Sequence, residues 1–383
     1  MATPEIDSKL PNVGTTIFTV MSKMAQDFDA INLSQGFPDY QVPKGLLDAM
    51  QKYLHGNYNQ YPPMAGVPYL REQIAAKTAK LYGATIDVEN EITVTSGATE
   101  ALFVAIQTVV RPGDEVIVLD PCYDSYEPGI TLAGGRTIHL PLNSAFGLDA
   151  QRLSDTINDR TRLIMLNTPH NPSGSILTRE ELNTVSSLIK DRDVFIISDE
   201  VYEHMVYDNG QHDSLVGIPD LRDRTFVVSS FGKTYHATGW KVAYCVAPPA
   251  LTAEFRKIHQ FVTFTTHTPT QWALADYMEH HPEHFEELPR FYEQKRDLFL
   301  SAMSESRFQM RPSAGTYFQL ADYSALSSDT DQSFVEYMTK EVGVAAIPVS
   351  VFYEQPPDQR IVRFCFCKHD ETLVRAAERL SEL

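Results

Sequence analysis

At 383 residues, 43% of them hydrophobic and 21% charged, the chain has the makeup of an ordinary globular protein, and its length predicts one large and one smaller domain. Its 50 acidic residues outnumber 32 basic ones for a net charge of −18, which argues against nucleic acid or an anionic membrane surface as partner but leaves room for a basic pocket holding a small anion. The opening MATPEIDSKL has no basic stretch followed by an apolar run, and no segment approaches the roughly eighteen apolar residues of a membrane span, so a cytoplasmic chain without a signal peptide is expected.

From about residue 91 short apolar runs recur in chain order: EITVTSG (91–97), EVIVLDP (115–121), RTIHLPL (136–142), TRLIMLN (161–167), DVFIISDE (193–200), TFVVSSFG (225–232) and KVAYCVAP (241–248). Rich in Val and Ile with little alternation, several read as strands covered on both faces. Helical patterns lie between some of them, in ATEALFVAIQTVV and TREELNTVSSLIK. The alternation predicts an α/β fold with a mostly parallel seven-stranded sheet between helices. KVAYCVAP follows its predecessor too closely for a crossover helix, so it is expected to pair antiparallel.

After Pro248 the pattern changes. Long helices are expected over LTAEFRKIHQFVTF and FYEQKRDLFLSAM, then short strands at GTYFQLADY, VAAIPVSVF and RIVRFCFC, with helices at SFVEYMTKEVG and ETLVRAAERLSEL. That is a smaller α+β unit. The four cysteines, Cys122, Cys245, Cys365 and Cys367, are too few for a disulfide framework in so long a chain. The alternation of Cys365 and Cys367 places both on one face of a strand as buried thiols, not a metal knuckle. His280, His281 and His284 flank Pro282, which breaks the helix that would align them, so a solvated helix junction is expected and no metal.

In an open α/β sheet, ligands bind beyond the carboxyl ends of the strands. After the first run come Ser96, Gly97, Ala98 and Thr99, small residues that open a helix; this is either an ordinary turn or a cradle for a phosphate or carboxylate. TPHNPSG places Asn167 and Asn171 beside prolines, either as a turn or as amides over a ligand. Asp199, Glu200 and Tyr202 follow FIIS, and a carboxylate at the end of a buried strand needs an answering cation or ring nitrogen. Lys233 closes VVSSFGK; a desolvated lysine there can bond an aldehyde, whereas an isolated one would extend into water. Cradle, amide, carboxylate and lysine together fit pyridoxal 5′-phosphate (PLP), with Lys233 for its aldehyde, Asp199 for its ring nitrogen, and Ser96–Thr99 with Lys241 for its phosphate.

The motifs TSGATEAL, NTPHNPSG, SDEVYEHMVYD and SFGKTYHATGWKVAY, between LSQGFPDY and VRFCFC, resemble those of class I (fold type I) PLP-dependent aminotransferases. The resemblance is strongest to the methionine and kynurenine/glutamine aminotransferase branch. It implies that Lys233 bonds the cofactor and shuttles the proton, that Asp199 pairs with the ring nitrogen, and that Tyr202 and Asn171 lie against the ring oxygen. Tyr123 would stack on the ring; Ser230, Lys241 and the Gly97, Ala98 and Thr99 backbone would hold the phosphate. Arg363, Gly36 and Asn171 would take the substrate α-carboxylate. Tyr61 would reach the phosphate of a partner subunit, which implies a homodimer with shared sites. The resemblance also implies an N-terminal arm and part of a small domain over 1–45, a large domain over 46–275 and a C-terminal small domain over 276–383.

The expected reaction is transamination between an amino acid and a 2-oxo acid. Segments expected to wall the substrate pocket carry no spare arginine and offer Ile17, Phe18, Tyr61, Phe264, His267 and Tyr317, so neutral donors are expected, methionine first and aspartate poor. Thr266 stands about where kynurenine-preferring relatives carry an aromatic, which weakens strict kynurenine specificity. The alternatives are cysteine-conjugate β-elimination or kynurenine transamination as the main activity, and, more remotely, a non-enzymatic regulator on the same fold.

Overall fold

The computed structural model describes residues 5–383; residues 1–4, the start of the expected N-terminal arm, lie outside the described residues. Its strands, in chain order, are β1 (Ile31–Asn32), β2 (Ile92–Thr95), β3 (Glu115–Asp120), β4 (Arg136–Pro141), β5 (Thr161–Asn167), β6 (Phe195–Asp199), β7 (Thr225–Ser230), β8 (Ala243–Val246), β9 (Phe318–Asp322), β10 (Val344–Ala345), β11 (Ile347–Pro348) and β12 (Ile361–Cys365). The seven apolar runs expected as strands became β2 to β8. They form one seven-stranded sheet in the order β2-β8-β7-β6-β5-β3-β4. β8 alone runs against its neighbours, as its short connection required.

β3 is buried at every residue and β4 only at Leu140, so the continuous apolar runs belong to the inner strands and the mixed one to the edge. Helices on both faces complete the layers. Arg179–Ile189 starts at a capping box, in which Thr178 accepts from the Glu181 N–H and Glu181 returns a bond to the Thr178 N–H. Ala98–Val109 starts at Gly97 with no side-chain cap, so its first N–H groups have no side-chain acceptor.

A second core gathers around the three-stranded sheet β11-β12-β9 and includes Met21 and Leu33 from the N-terminal region. β1 pairs with β10, tying residues 31–32 to 344–345. Three helices before the first large-sheet strand, Ile17–Asp27, Lys44–His55 and Pro68–Tyr82, had not been read from the sequence. VAAIPVSVF, expected as one strand, is divided into β10, β11 and a 3-10 turn, Val349–Phe352, because its two halves pair with different strands. The helix expected at FYEQKRDLFLSAM begins earlier and runs Glu283–Ala302 through Pro289; its buried Leu288, Tyr292 and Phe299 hold it against the second core despite the missing N–H.

The four cysteines are free and buried, and the Cys365 and Cys367 sulfurs face each other at 3.1 Å. One helix ends at His280 and the next starts at Glu283, as Pro282 required. His280 is exposed, but His284 turns inward and bonds the Thr234 carbonyl at 2.8 Å, so that junction is only partly solvated. Among the described residues no helix is long and apolar enough to cross a membrane.

Candidate active site

The sheet registers bring the strand ends together. Asn167 lies opposite Asp199, Asp199 opposite Val228, and Ser230 opposite Ala243. Beyond them opens a cavity of about 330 Å³, and among the residues that line it are Gly97, Ala98, Thr99, Tyr123, Asn171, Asp199, Tyr202, Ser230, Lys233 and Lys241. Gly36, Phe18 and Arg363 reach the same cavity from the second core's side. Positions separated by more than 300 residues thus share one space.

Asp199 is buried at the end of β6, its Oδ2 accepting the Tyr126 hydroxyl at 2.8 Å and its Oδ1 the Val201 N–H at 3.4 Å. Burial pushes its carboxyl up to about 6, against the pull of Tyr126, Val201 and nearby Lys233. A cation beside it would restore the anion. The Asn167 side chain bonds the Asp199 carbonyl and accepts the Asn171 N–H, so the two asparagines and Asp199 form one hydrogen-bonded set. Below this loop, the buried Glu203 pairs with Lys77 at 2.7 Å and also accepts from Ser229 and Tyr244, anchoring the segment that carries Tyr202.

Lys233 faces the cavity on a short turn after β7; burial lowers its pKa and the neighbouring Lys241 adds to that, while Asp199 opposes it. Its Nζ lies 5.7 Å from the ring centres of Tyr202 and of Tyr317, and donates weakly to the Gly36 carbonyl at 3.4 Å. Lys241 holds a left-handed backbone (φ 53°) that folds its side chain over Gly97. A Cβ added at Gly97, which has φ +83°, would lie 3.0 Å from Cε and 3.1 Å from Nζ of Lys241. Behind this cradle the Ser96 N–H donates to Glu100, whose other oxygen bonds His259 at 2.8 Å.

Arg363 is 1% exposed, and the oxygens it bonds, on Asn171 and Ser34, are neutral. Its Nη1 donates to Asn171 Oδ1 and its Nη2 to the Ser34 carbonyl, while Nε is buried without a partner. Phe318 lies 3.9 Å from the guanidinium carbon, with Phe18 and Phe352 farther out at 5.4 and 5.6 Å. A buried guanidinium with an orphaned donor is costly, and an incoming carboxylate would relieve it.

PLP offers a phosphate, an aldehyde and a ring nitrogen. A cradle that a single Cβ would crowd, an amine of lowered pKa and a buried carboxyl lacking a bonded cation match these three groups, and Arg363 remains for a carboxylate.

Tyr317, expected at the site, does not line this cavity, and Tyr61, expected to serve a partner subunit's site, lies outside it in the single chain. Tyr61 is 85% exposed and packs edge-on against Phe264 at 5.5 Å. Tyr317 is wholly buried behind the cavity, its hydroxyl donating to the Gly36 carbonyl, and its neighbour Phe318 forms the lining. Of the other expected pocket residues, Ile17 packs on the second core, while Phe264 and His267 do not reach this cavity. Tyr126, Gln35 and Phe318 had not been singled out. A tyrosine three positions after Tyr123 on a helix start was the available signal for Tyr126.

The family of class I and class II aminotransferases matches residues 29–380. The chain is 51% identical to the methionine aminotransferase of Escherichia coli over 377 residues, 98% of each chain. A solved Escherichia coli structure, reported with a methionine aminotransferase function, superposes at TM-score 0.98 with 50% identity over all of both chains. The Mycobacterium tuberculosis N-succinyldiaminopimelate aminotransferase structure gives TM-score 0.95 at 37% identity, covering 99% of this chain and 100% of that one. Kynurenine–oxoglutarate transaminase 1 of Rattus norvegicus is 34% identical, covering 97% of this chain and 96% of its own.

Proposed function

This chain belongs to the class I and class II aminotransferases, PLP-dependent enzymes, and we propose that it takes the amino group from amino acids with neutral side chains, methionine foremost, and passes it to a 2-oxo acid. One observation carries the neutral-donor reading: among the described residues lining the cavity the cations are Lys233, Lys241 and Arg363, and each already has a task. None is left for a second substrate carboxylate, while Phe18 and Phe318 supply apolar surface beside Arg363. The likeness to a methionine aminotransferase at 51% identity supports methionine as the leading donor.

Bound here, PLP supplies an aldehyde that takes up the amino group and a ring that accepts the electron pair left by the α-proton. Ser230, Lys241 and the Gly97, Ala98 and Thr99 backbone would hold its phosphate. Asp199 would hold a proton on its ring nitrogen, Tyr202 and Asn171 would meet its ring oxygen, and Tyr123 would cover its face. Lys233, its pKa lowered by burial, would bond the aldehyde and carry the proton at Nζ. Arg363, with Gly36 beside it, fixes the substrate carboxylate and so aims the α-proton.

The same reading includes a homodimer. Among the described residues Tyr61, Phe261 and Phe264 remain exposed aromatic side chains, which supports a partner copy there. It also includes the division into a large unit over 46–275 and a smaller one formed from 1–45 and 276–383, supported by the β1–β10 pairing. The test is the ratio of kcat/KM for methionine to that for aspartate with one fixed 2-oxo acid. Aspartate above methionine overturns the pocket reading.

A further inference from the structure

Outside the cavity, Asp120 and Cys122 at the end of β3 and His139 on β4 place their donor atoms within 4.8 Å of one another. As a metal-ligand set the group is already spent. One Asp120 oxygen takes His139 Nδ1 at 2.8 Å and the other accepts the Glu354 N–H at 3.0 Å. Burial, and then Asp120 beside it, pushes the Cys122 thiol well up, which keeps it protonated and a poor ligand. With the other Asp120 oxygen accepting from the Glu354 N–H, the bond is assigned with His139 Nδ1 as donor and the carboxylate as acceptor.

The first of those bonds stays within the large sheet, between β3 and β4, while the second joins that sheet to the segment after Phe352, a residue of the second core. The turn Val349–Phe352 is held at its start by Asp331, which accepts from both the N–H and the hydroxyl of Ser350 at 2.7 Å. Beyond its other end it is held by the large sheet, through Glu354 N–H to Asp120 and Cys122 N–H to the Phe352 carbonyl at 2.8 Å. Phe352 lies 6.0 Å from Phe18 and 5.6 Å from the Arg363 guanidinium carbon. The next residue after Cys122 is Tyr123, which lines the cavity.

We propose that Asp120 and His139 are positioning residues, a clasp that fastens the 349–354 turn to the end of β3 and so sets the buried Phe352 ring beside the Arg363 guanidinium, behind the cavity lining. The imidazole occupies one carboxylate oxygen and aims the other at the Glu354 N–H; without it the carboxylate is free to turn away. Neither residue touches the cavity, so the effect falls on substrate binding more than on turnover. The proposal rests on the reading of Arg363 as the carboxylate clamp.

The test uses the cofactor-loaded enzyme and three measurements: hydrogen exchange at the Glu354 amide, the Kd of the unreactive carboxylate 3-phenylpropionate, and KM against kcat for methionine. Losing one charge-assisted bond in His139→Leu or Asp120→Asn is expected to speed Glu354 exchange, and to raise that Kd and KM, by about tenfold, while kcat changes by less than about threefold. His139→Asn places an amide donor near the Nδ1 position and is expected to stay within about twofold of wild type. Phe352→Ala, which leaves the clasp intact, is expected to raise the Kd with Glu354 exchange still slow. Unchanged exchange in both His139→Leu and Asp120→Asn overturns the proposal, as does faster exchange with an unchanged Kd. A stoichiometric divalent metal in the purified protein that His139→Leu loses also overturns it. If Arg363→Ala leaves the Kd for 3-phenylpropionate unmoved, the reading at fault is the clamp itself, and the Glu354 exchange still reports on the clasp.

Discussion

Arg363 Nη1 donates to Asn171 Oδ1 at 2.7 Å, joining the second core to the loop after β5 across 192 positions of chain. The contact aims a guanidinium into the cavity while leaving its Nε unpaired. Arg363→Ala is therefore expected to raise KM for every amino donor by about 100-fold, since a charge-assisted carboxylate contact of roughly 3 kcal/mol is lost. Lysine cannot reproduce the planar fork, and Arg363→Lys should recover little of the loss. Steady-state kinetics with several donors checks this, and a wild-type KM in Arg363→Lys places the clamp elsewhere.

Lys233 is the only lysine beside both Tyr202 and Tyr317 among the described cavity residues. The purified protein is expected to be yellow, and borohydride to bleach it while fixing the cofactor to Lys233. In Lys233→Ala both the fixation and turnover should be lost. Mass spectrometry after reduction locates the attachment; activity within about tenfold of wild type would refute the role, because covalent and proton-transfer catalysis contribute far more than that.

Asp199 gives a pH prediction for the cofactor-free protein. Its folded pKa stands near 6, above the ordinary 3.8, chiefly through burial. The folded state therefore holds the proton more tightly than the unfolded one. The associated stability is fully present below about pH 4 and lost as pH rises through 6, to a total of about 3 kcal/mol. Urea unfolding of wild type and Asp199→Asn between pH 4 and 7 should show wild type losing stability relative to the variant as pH rises. A constant difference means that the carboxyl is not held up. Tyr126→Phe removes a hydrogen bond that lowers this pKa and should push the titration higher still.

Asp199→Ala in the loaded enzyme should keep some cofactor, through the proposed phosphate cradle, yet lose turnover by about 100-fold or more, because the charge proposed to face the ring nitrogen is gone. Absorbance of the bound cofactor and kcat are read together. A near-normal kcat would remove Asp199 from the mechanism.

Across neutral donors the differences should be modest. An apolar wall distinguishes neighbouring side chains by only about 1 kcal/mol per methylene, so methionine is expected to lead with phenylalanine, tyrosine, leucine, histidine and glutamine all accepted. Specificity constants measured with one oxo acid check the order. A single donor favoured by more than about 1,000-fold would mean that a polar contact, not Phe18 and Phe318, sets specificity.

The seven strand runs and their helices were legible because the signals are local: unbroken Val and Ile in buried strands, small residues at Gly97 where a helix opens, a connection before β8 too short to cross over. The strand-end rule then drew attention to Asp199, Lys233 and the Ser96–Thr99 loop. The N-terminal helices were missed where no strand punctuated the pattern. VAAIPVSVF looked like one strand because its composition is uniform, while pairing with two different partners divided it.

What the sequence by itself determined is the chemistry on offer: an amine, a carboxylate, an anion cradle and a guanidinium, each in a motif whose residues are neighbours in the chain. What only the tertiary structure decided is which groups answer one another. Tyr126 bonds Asp199, Arg363 bonds Asn171, and Asp120 holds both His139 and the Glu354 backbone. Tyr317 was drawn into the interior while Phe318 was left to face the cavity. The physical reason is that strand and helix signals repeat within a few residues, whereas such pairings are set by register and by the packing of two cores, which no local period encodes.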